Sequence, residues 1–147
     1  VETEVRFDMP IVDPDTGETM PRPCIGYFDL ELSNGNIVEL KTAAKSYSAT
    51  ELRVNLQFAA YRTAARYFGD INIEVVELIK TKVPKIQHVA LHADRDTAIW
   101  FMRAASVIER GILSGIYPPS PGPMCGSCEY RGACLGVAAE IVDAEAA

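Results

Sequence analysis

The chain predicts an α/β fold, a β-sheet flanked by helices with a cysteine-rich segment behind it. Three observations carry this. Five short runs have the alternation or β-branched density of strands, and they fall in the order βββαββα. Two long stretches carry apolar residues at helical spacing. A Pro/Gly-rich break, YPPSPGP, then leads into C-x2-C-x5-C near the C-terminus. A sheet that must bury its apolar face and two amphipathic helices solve each other's problem by packing together.

The elements follow in order. ETEVRF alternates polar and apolar residues and predicts a strand. VDPDTGE, at 12–18, is turn chemistry dense in Asp, Pro and Gly. IGYFDLEL, from Ile25 to Leu32, predicts a second strand, and NIVELKT, ending near Thr42, a third. AAKSYS reads as a loop or lid. Ser48 or Thr50 caps a helix expected to run to Phe68, with Val54, Phe58, Tyr61, Ala65 and Phe68 as its apolar stripe and Gly69 closing it. INIEVVELIKTK and KIQHVALHA predict two more strands. DRDTAIWFMRAASVIERGILSG predicts a second helix with the stripe Ala98, Phe101, Ala105, Ile108 and Ile112. The final AEIVDAEAA reads as a frayed helical tail. Residues 1–117 are expected to form the core, and 118–147 a cysteine-bearing tail packed on it.

Bulk properties narrow the function classes. At 147 residues the chain favours one domain with a real core. Hydrophobic content of 48% and charged content of 23% mark a globular chain, not a disordered one. A net charge of −6 argues against a broad, non-specific nucleic-acid binder, though not against a local basic groove around an acidic metal site. No apolar run approaches the roughly 18 residues that span a membrane, and no signal peptide is visible. Four cysteines at this spacing suit a reduced, cytosolic chain with a cysteine-ligated metal better than a secreted disulfide scaffold. The chain opens on Val1 and enters a strand at once, so upstream residues are expected to be missing.

CIGYFDLELSNGNIVELKTAAK places Asp29, Glu39 and Lys41 around one tight turn. Alternate strand residues share a face, so Glu39 and Lys41 point the same way. A two-residue Asn34-Gly35 turn would set Asp29 opposite Leu40. A three-residue Ser33-Asn34-Gly35 loop, with Gly35 in the left-handed position, pairs Leu32 with Asn36 and sets Asp29 across from Glu39. Like charges placed opposite each other are destabilising unless a divalent cation lies between them. Lys41 would then project beside that cation, able to orient a water or stabilise charge on a phosphate. The plainer reading is a solvated hairpin.

On the following helix Gln57 and Tyr61 are four apart and share a face, with Arg53 one turn earlier; Tyr61 also fits the apolar stripe. Thiolates at the spacing of Cys125, Cys128 and Cys134 converge on one metal centre, iron–sulfur or zinc. His88 and His92 read as ordinary strand residues, and Trp100 as core or interface.

Together GYFD (Gly26 to Asp29), VELKT (Val38 to Thr42), QFAAY (Gln57 to Tyr61) and the C-x2-C-x5-C tail resemble the RecB-like branch of the PD-(D/E)XK nucleases. The likeness is greatest to its iron–sulfur members: CRISPR-adaptation exonucleases, the AddB nuclease domain and phage relatives. The resemblance runs from the first strand to Cys134. It implies a restriction-endonuclease-like mixed sheet and a Mg²⁺- or Mn²⁺-dependent deoxyribonuclease. Asp29, Glu39 and the backbone carbonyl of Leu40 would be metal ligands and Lys41 the catalytic lysine, with Gln57 and Tyr61 near the active site and the DNA. Cys125, Cys128 and Cys134 would hold a [4Fe–4S] cluster, with Cys24 as a candidate fourth ligand. Two features depart from the pattern: the fourth cysteine normally lies well upstream, and relatives carry an acidic or histidine ligand on an N-terminal helix, for which Glu2 or Glu4 would stand in.

The leading expectation is therefore an exonuclease on single-stranded DNA ends, in recombination, repair or CRISPR adaptation, in the cytoplasm of a bacterial, archaeal or phage-infected cell. Lys45, Arg53, Arg62 and Lys80 are the expected phosphate contacts. A catalytically weak, DNA-end-binding subunit of a larger complex is the alternative, and a structural zinc protein a third.

Overall fold

The computed structural model describes residues 1–135; the C-terminal AEIVDAEAA segment lies outside them. Two compact units are present, Val1–Arg110 and a second beginning at Gly111.

The first unit is built on a five-stranded mixed sheet in the order β1-β2-β3-β4-β5. β1 (Glu2–Met9), β2 (Cys24–Glu31) and β3 (Ile37–Ala43) pair antiparallel, β4 (Ile73–Ile79) runs parallel to β3, and β5 (Lys85–Leu91) returns antiparallel. Parallel neighbours need a crossover, and α1 (Ala49–Val54) and α2 (Leu56–Tyr67) supply it. α3 (Arg95–Leu113) follows β5.

Two helices stand where the sequence predicts one. Their break is Asn55, whose backbone is extended and whose side chain accepts the N–H groups of Gln57 and Phe58. Asparagine outcompetes a continuing helix here because its own oxygen satisfies the orphan donors of the next one. Upstream, Ser48 and Glu51 form a reciprocal capping box on α1. At the far end Phe68 is the cap, and Gly69, at φ +106°, makes the left-handed exit.

The core lies between the sheet and α2. Phe7, Phe28, Ile37, Ile73 and Val75 from the strands meet Phe58, Ala59, Tyr61, Ala64 and Ala65 from the helix. Of the predicted stripe, Phe58, Tyr61 and Ala65 are buried on α2, while Val54, the last residue of α1, and Phe68, the cap of α2, are exposed. The predicted stripe of α3 shifts more. Its buried residues are Thr97, Phe101, Ser106 and Glu109, and Ile108 faces solvent. The reason is the 13–18 loop, which is more than a turn. Arg103 holds Asp15 in two hydrogen bonds at 2.7 and 2.6 Å, Arg110 bridges Asp13 and Glu18, and Arg22 reaches the buried Glu109 at 2.8 Å. These polar ties, not an apolar stripe alone, set the rotation of α3.

In the second unit Pro123–Ser127 forms a 3₁₀ turn and Arg131–Leu135 a short helix, α4.

Candidate active site

The β2–β3 hairpin adopts the three-residue loop. Leu32 N–H bonds the carbonyl of Asn36 and Gly35 N–H that of Leu32, both at 2.8 Å, with Gly35 at φ +80°. Leu30 pairs with Val38. The same register carried one step further sets Asp29 against Glu39, as the sequence predicts. There the ladder stops, and Asp29 Oδ2 instead accepts the N–H of Leu40 at 2.8 Å. Its other flank is interrupted too. Thr3↔Leu30 and Val5↔Phe28 pair, but Glu4, level with Asp29, has φ +53° and no partner in the ladder. The sheet is thus disturbed on both sides of Asp29, and its carboxylate, not its backbone, joins β2 to β3. Positive φ in a non-glycine strand residue is costly and clusters at functional sites.

Odd-numbered residues of β3 and β4 (Ile37, Glu39, Ile73, Val75, Glu77 and Ile79) form the buried face. Glu39 is completely buried. Its Oε1 accepts the Lys41 ammonium and the Gln57 amide, the latter at 3.0 Å. Its Oε2 has no hydrogen-bond partner among the described residues. Burial pushes the Glu39 carboxyl above its ordinary range; Lys41 opposes this, and the charge of Asp29 adds to it.

Gln57 and Tyr61 form one relay. Gln57 Nε2 also donates to the Tyr61 hydroxyl at 2.8 Å, and that hydroxyl donates to the carbonyl of Tyr27 at 2.8 Å. The Tyr61 ring packs among Phe7 and Phe28. The ring of Tyr61 is therefore part of the core, while its hydroxyl is held between Gln57 and the Tyr27 carbonyl. Desolvation pushes its phenol up to about 12, so it is a hydrogen-bonding group and not a base.

The structure brings Asp29, Glu39, Lys41, Gln57 and Tyr61 together through these contacts. Leu40 joins them through its N–H. The expected phosphate contacts separate. Lys45 is strongly exposed and 3.6 Å from Glu51. Arg53 is exposed and, with Val54, Asp96, Thr97 and Trp100, lines a cleft of about 360 Å³. Lys80 is exposed just past β4. Arg62, on α2, is only partly exposed and lies 3.8 Å from Asp94, with its Nε enclosed. Glu2 and Glu4 are exposed on β1.

The residues present suit a small divalent cation. A carboxylate oxygen sealed from solvent without a donor is costly unless a cation meets it, and Asp29 stands beside it. Mg²⁺ typically takes one or two carboxylates and fills its remaining positions with water and phosphate. Among the described residues no group of three or more His, Cys, Asp or Glu side chains converges on a metal position.

The same finding bears on the tail: Cys125, Cys128 and Cys134 do not form a ready-made three-thiolate site. One local feature fits a thiolate, the Gly122 N–H donating to Cys125 Sγ at 3.3 Å. Cys24 packs against the core, where burial and the charge of Asp8 raise its thiol above the ordinary value.

Sequence reasoning missed Glu77, the second fully buried acid of this face. A signal was present, since Ile73, Val75, Glu77 and Ile79 alternate in one run with a single acid among apolar residues.

A family model described as the PD-(D/E)XK nuclease superfamily matches residues 2–135, and the chain belongs to that superfamily. Two solved structures share its fold. SSO0001 is 19% identical with a TM-score of 0.55, over 93% of this chain and 61% of that one. A protein of Eubacterium rectale named "Putative exonuclease" is 14% identical with a TM-score of 0.55, over 92% of this chain and 51% of that one. The chain therefore spans about three fifths of one and half of the other. No curated protein matches it. No helix among the described residues is long and apolar enough to cross a membrane.

Proposed function

We propose that the chain is a divalent-metal-dependent deoxyribonuclease that hydrolyses phosphodiester bonds from single-stranded DNA ends. The observation that carries this is the sealed, partnerless Oε2 of Glu39 beside Asp29, Lys41 and Gln57. Asp29 and Glu39, with the Leu40 carbonyl, hold Mg²⁺ or Mn²⁺. When bound, the cation supplies a Lewis acid for phosphodiester hydrolysis. Asp29 anchors the Leu40 backbone and so keeps that strand segment in place. Gln57 steadies Glu39 through Oε1 and is itself steadied by Tyr61. Lys41 orients the attacking water and stabilises charge gathering on the phosphate. Lys45, Arg53 and Lys80 offer exposed cations to the DNA backbone.

The cysteine spacing and the Gly122-to-Cys125 contact support a tail that gathers on a [4Fe–4S] cluster, or on Zn²⁺, with Cys125, Cys128 and Cys134 as ligands. Cys24, half-buried on β2, is the candidate for the fourth ligand. The cluster's part is structural, and no reaction step uses it. Residues 118–147 would then be a cluster-binding segment and residues 1–117 the nuclease core. A role in recombination, repair or CRISPR adaptation, with protein partners, in the cytoplasm of a bacterial, archaeal or phage-infected cell, follows from the resemblance of the four motifs.

The test is anaerobic purification, metal analysis and cleavage of end-labelled single-stranded DNA with Mg²⁺ and Mn²⁺, wild type against Lys41→Ala. The expected result is wild-type cleavage that falls at least about 100-fold in the variant, the scale of losing one charge-stabilising group. DNA left intact by wild type, under conditions where a control nuclease cuts, refutes it. The net charge of −6 favours a second reading, an end-binding subunit that works through a protein partner. End binding without cleavage, unchanged in Lys41→Ala, would select that reading.

A further inference from the structure

Glu77 has no part in the machinery above, yet it is as completely buried as Glu39. It stands on β4 in register with Lys41 of β3, two residues along from the Glu39↔Val75 pair. Strands neighbour each other at about 5 Å, and in-register side chains share a face. Glu77 Oε1 accepts the N–H of Tyr47 at 3.3 Å, while Oε2 has no hydrogen-bond partner among the described residues. A sealed carboxylate with one oxygen unmatched is costly unless a cation comes to it. Lys41, in register with it on the neighbouring strand, is the cation that the pairing sets beside it. Here that ammonium lies on Glu39 Oε1, the carboxylate a metal ion would need. Ammonium and divalent cation cannot both sit on Glu39 without mutual repulsion. Lysine's flexible stem lets its charge move between two acids by rotamer changes alone.

We propose that Glu77 is a positioning residue, the counter-ion that receives the Lys41 ammonium when a divalent cation occupies Asp29 and Glu39. It keeps the lysine beside the cation while freeing Glu39 to bind it. The inference rests on the nuclease reading and deepens it. Tyr47 secures the arrangement. Its N–H fixes one oxygen of Glu77, and its ring meets the edge of Phe58 with centroids 5.5 Å apart, at the start of the helix that carries Gln57.

Calorimetric titration with Mn²⁺ alone, without DNA, tests this on four proteins: wild type, Glu77→Gln, Lys41→Ala and the double variant. Gln keeps the shape of Glu77 and an acceptor for Tyr47. Removing its charge should weaken Mn²⁺ binding about tenfold, within the usual range of coupling between sites, because Lys41 then has only Glu39 to pair with. Lys41→Ala should erase that effect, so that the two proteins lacking the lysine bind Mn²⁺ within about threefold of each other. Unchanged affinity in Glu77→Gln, or a loss that persists without Lys41, overturns the proposal while leaving the nuclease reading standing. Wild type that binds no Mn²⁺ removes both. A melting comparison needs no folded Glu77→Gln single variant. In Mn²⁺ the double variant should melt above Lys41→Ala by about 3 °C or more, since it no longer seals a carboxylate without a cation. A lower melting point overturns the proposal.

Discussion

Replacing Glu39 with Gln should make the metal-free protein more stable while destroying its cation site. Glu39 is fully enclosed, its Oε1 has two donors and its Oε2 none among the described residues. Burial outweighs Lys41 and holds its carboxyl above the 4.5 of a free side chain. The sign follows by linkage. Between the unfolded and the raised folded pKa, the folded chain keeps a proton that the unfolded chain has lost. Stability therefore falls as pH rises through that window, and the full cost is present above it. A sealed acceptor without a donor costs about 1–3 kcal/mol. The amide of Gln leaves an N–H₂ in the same place, so the gain sits near the low end, about 1 kcal/mol, or roughly 2–4 °C in Tm for a chain of this size. In EDTA at pH 7.5, thermal melting should show Glu39→Gln above wild type. The difference should shrink to nothing as pH falls through the free carboxylate range. Saturating Mn²⁺ should reverse the order, since a ligand at a hundred times its Kd stabilises by about 2.7 kcal/mol and only wild type binds it. A variant that melts below wild type in EDTA at pH 7.5 would refute the reasoning. It would mean that the Lys41 ion pair, not desolvation, governs this carboxylate.

Asn55→Ala removes the acceptor for two N–H groups at the start of α2 and should cost about 1 kcal/mol. Because Gln57 is one of those two residues, DNA cleavage should fall by more than the loss of folded protein explains, measured at a temperature where both proteins are folded. Gly26→Ala would place a Cβ 2.3 Å from Phe7 Cζ, and that ring is pinned with its centroid 4.6 Å from that of Phe28. The overpacking should cost about 1–3 kcal/mol in chemical denaturation with an unchanged m-value.

Sequence alone determined whatever a short stretch can settle by its own chemistry. Strand order followed from alternation and β-branched density, and all five strands stand where those put them. Local chemistry narrowed the hairpin to two registers, and the structure takes the three-residue loop, with Gly35 at φ +80°, that brings Asp29 level with Glu39. Gln57 and Tyr61 share a face by helical geometry, whatever surrounds them. Tertiary structure decided the rest, since those outcomes depend on partners distant in sequence. The break at Asn55 won because an Asx cap suited a helix turning across the sheet. Arg103 and Arg110 rotated α3 toward an acidic loop about 90 residues earlier, so apolar spacing misplaced its buried side. Glu77 faces Lys41 only through the parallel β3–β4 pairing, which a crossover creates and no local pattern encodes. The sealed oxygen of Glu39 is a property of packing, produced when β3, α2 and their neighbours close over a side chain whose burial no local pattern encodes.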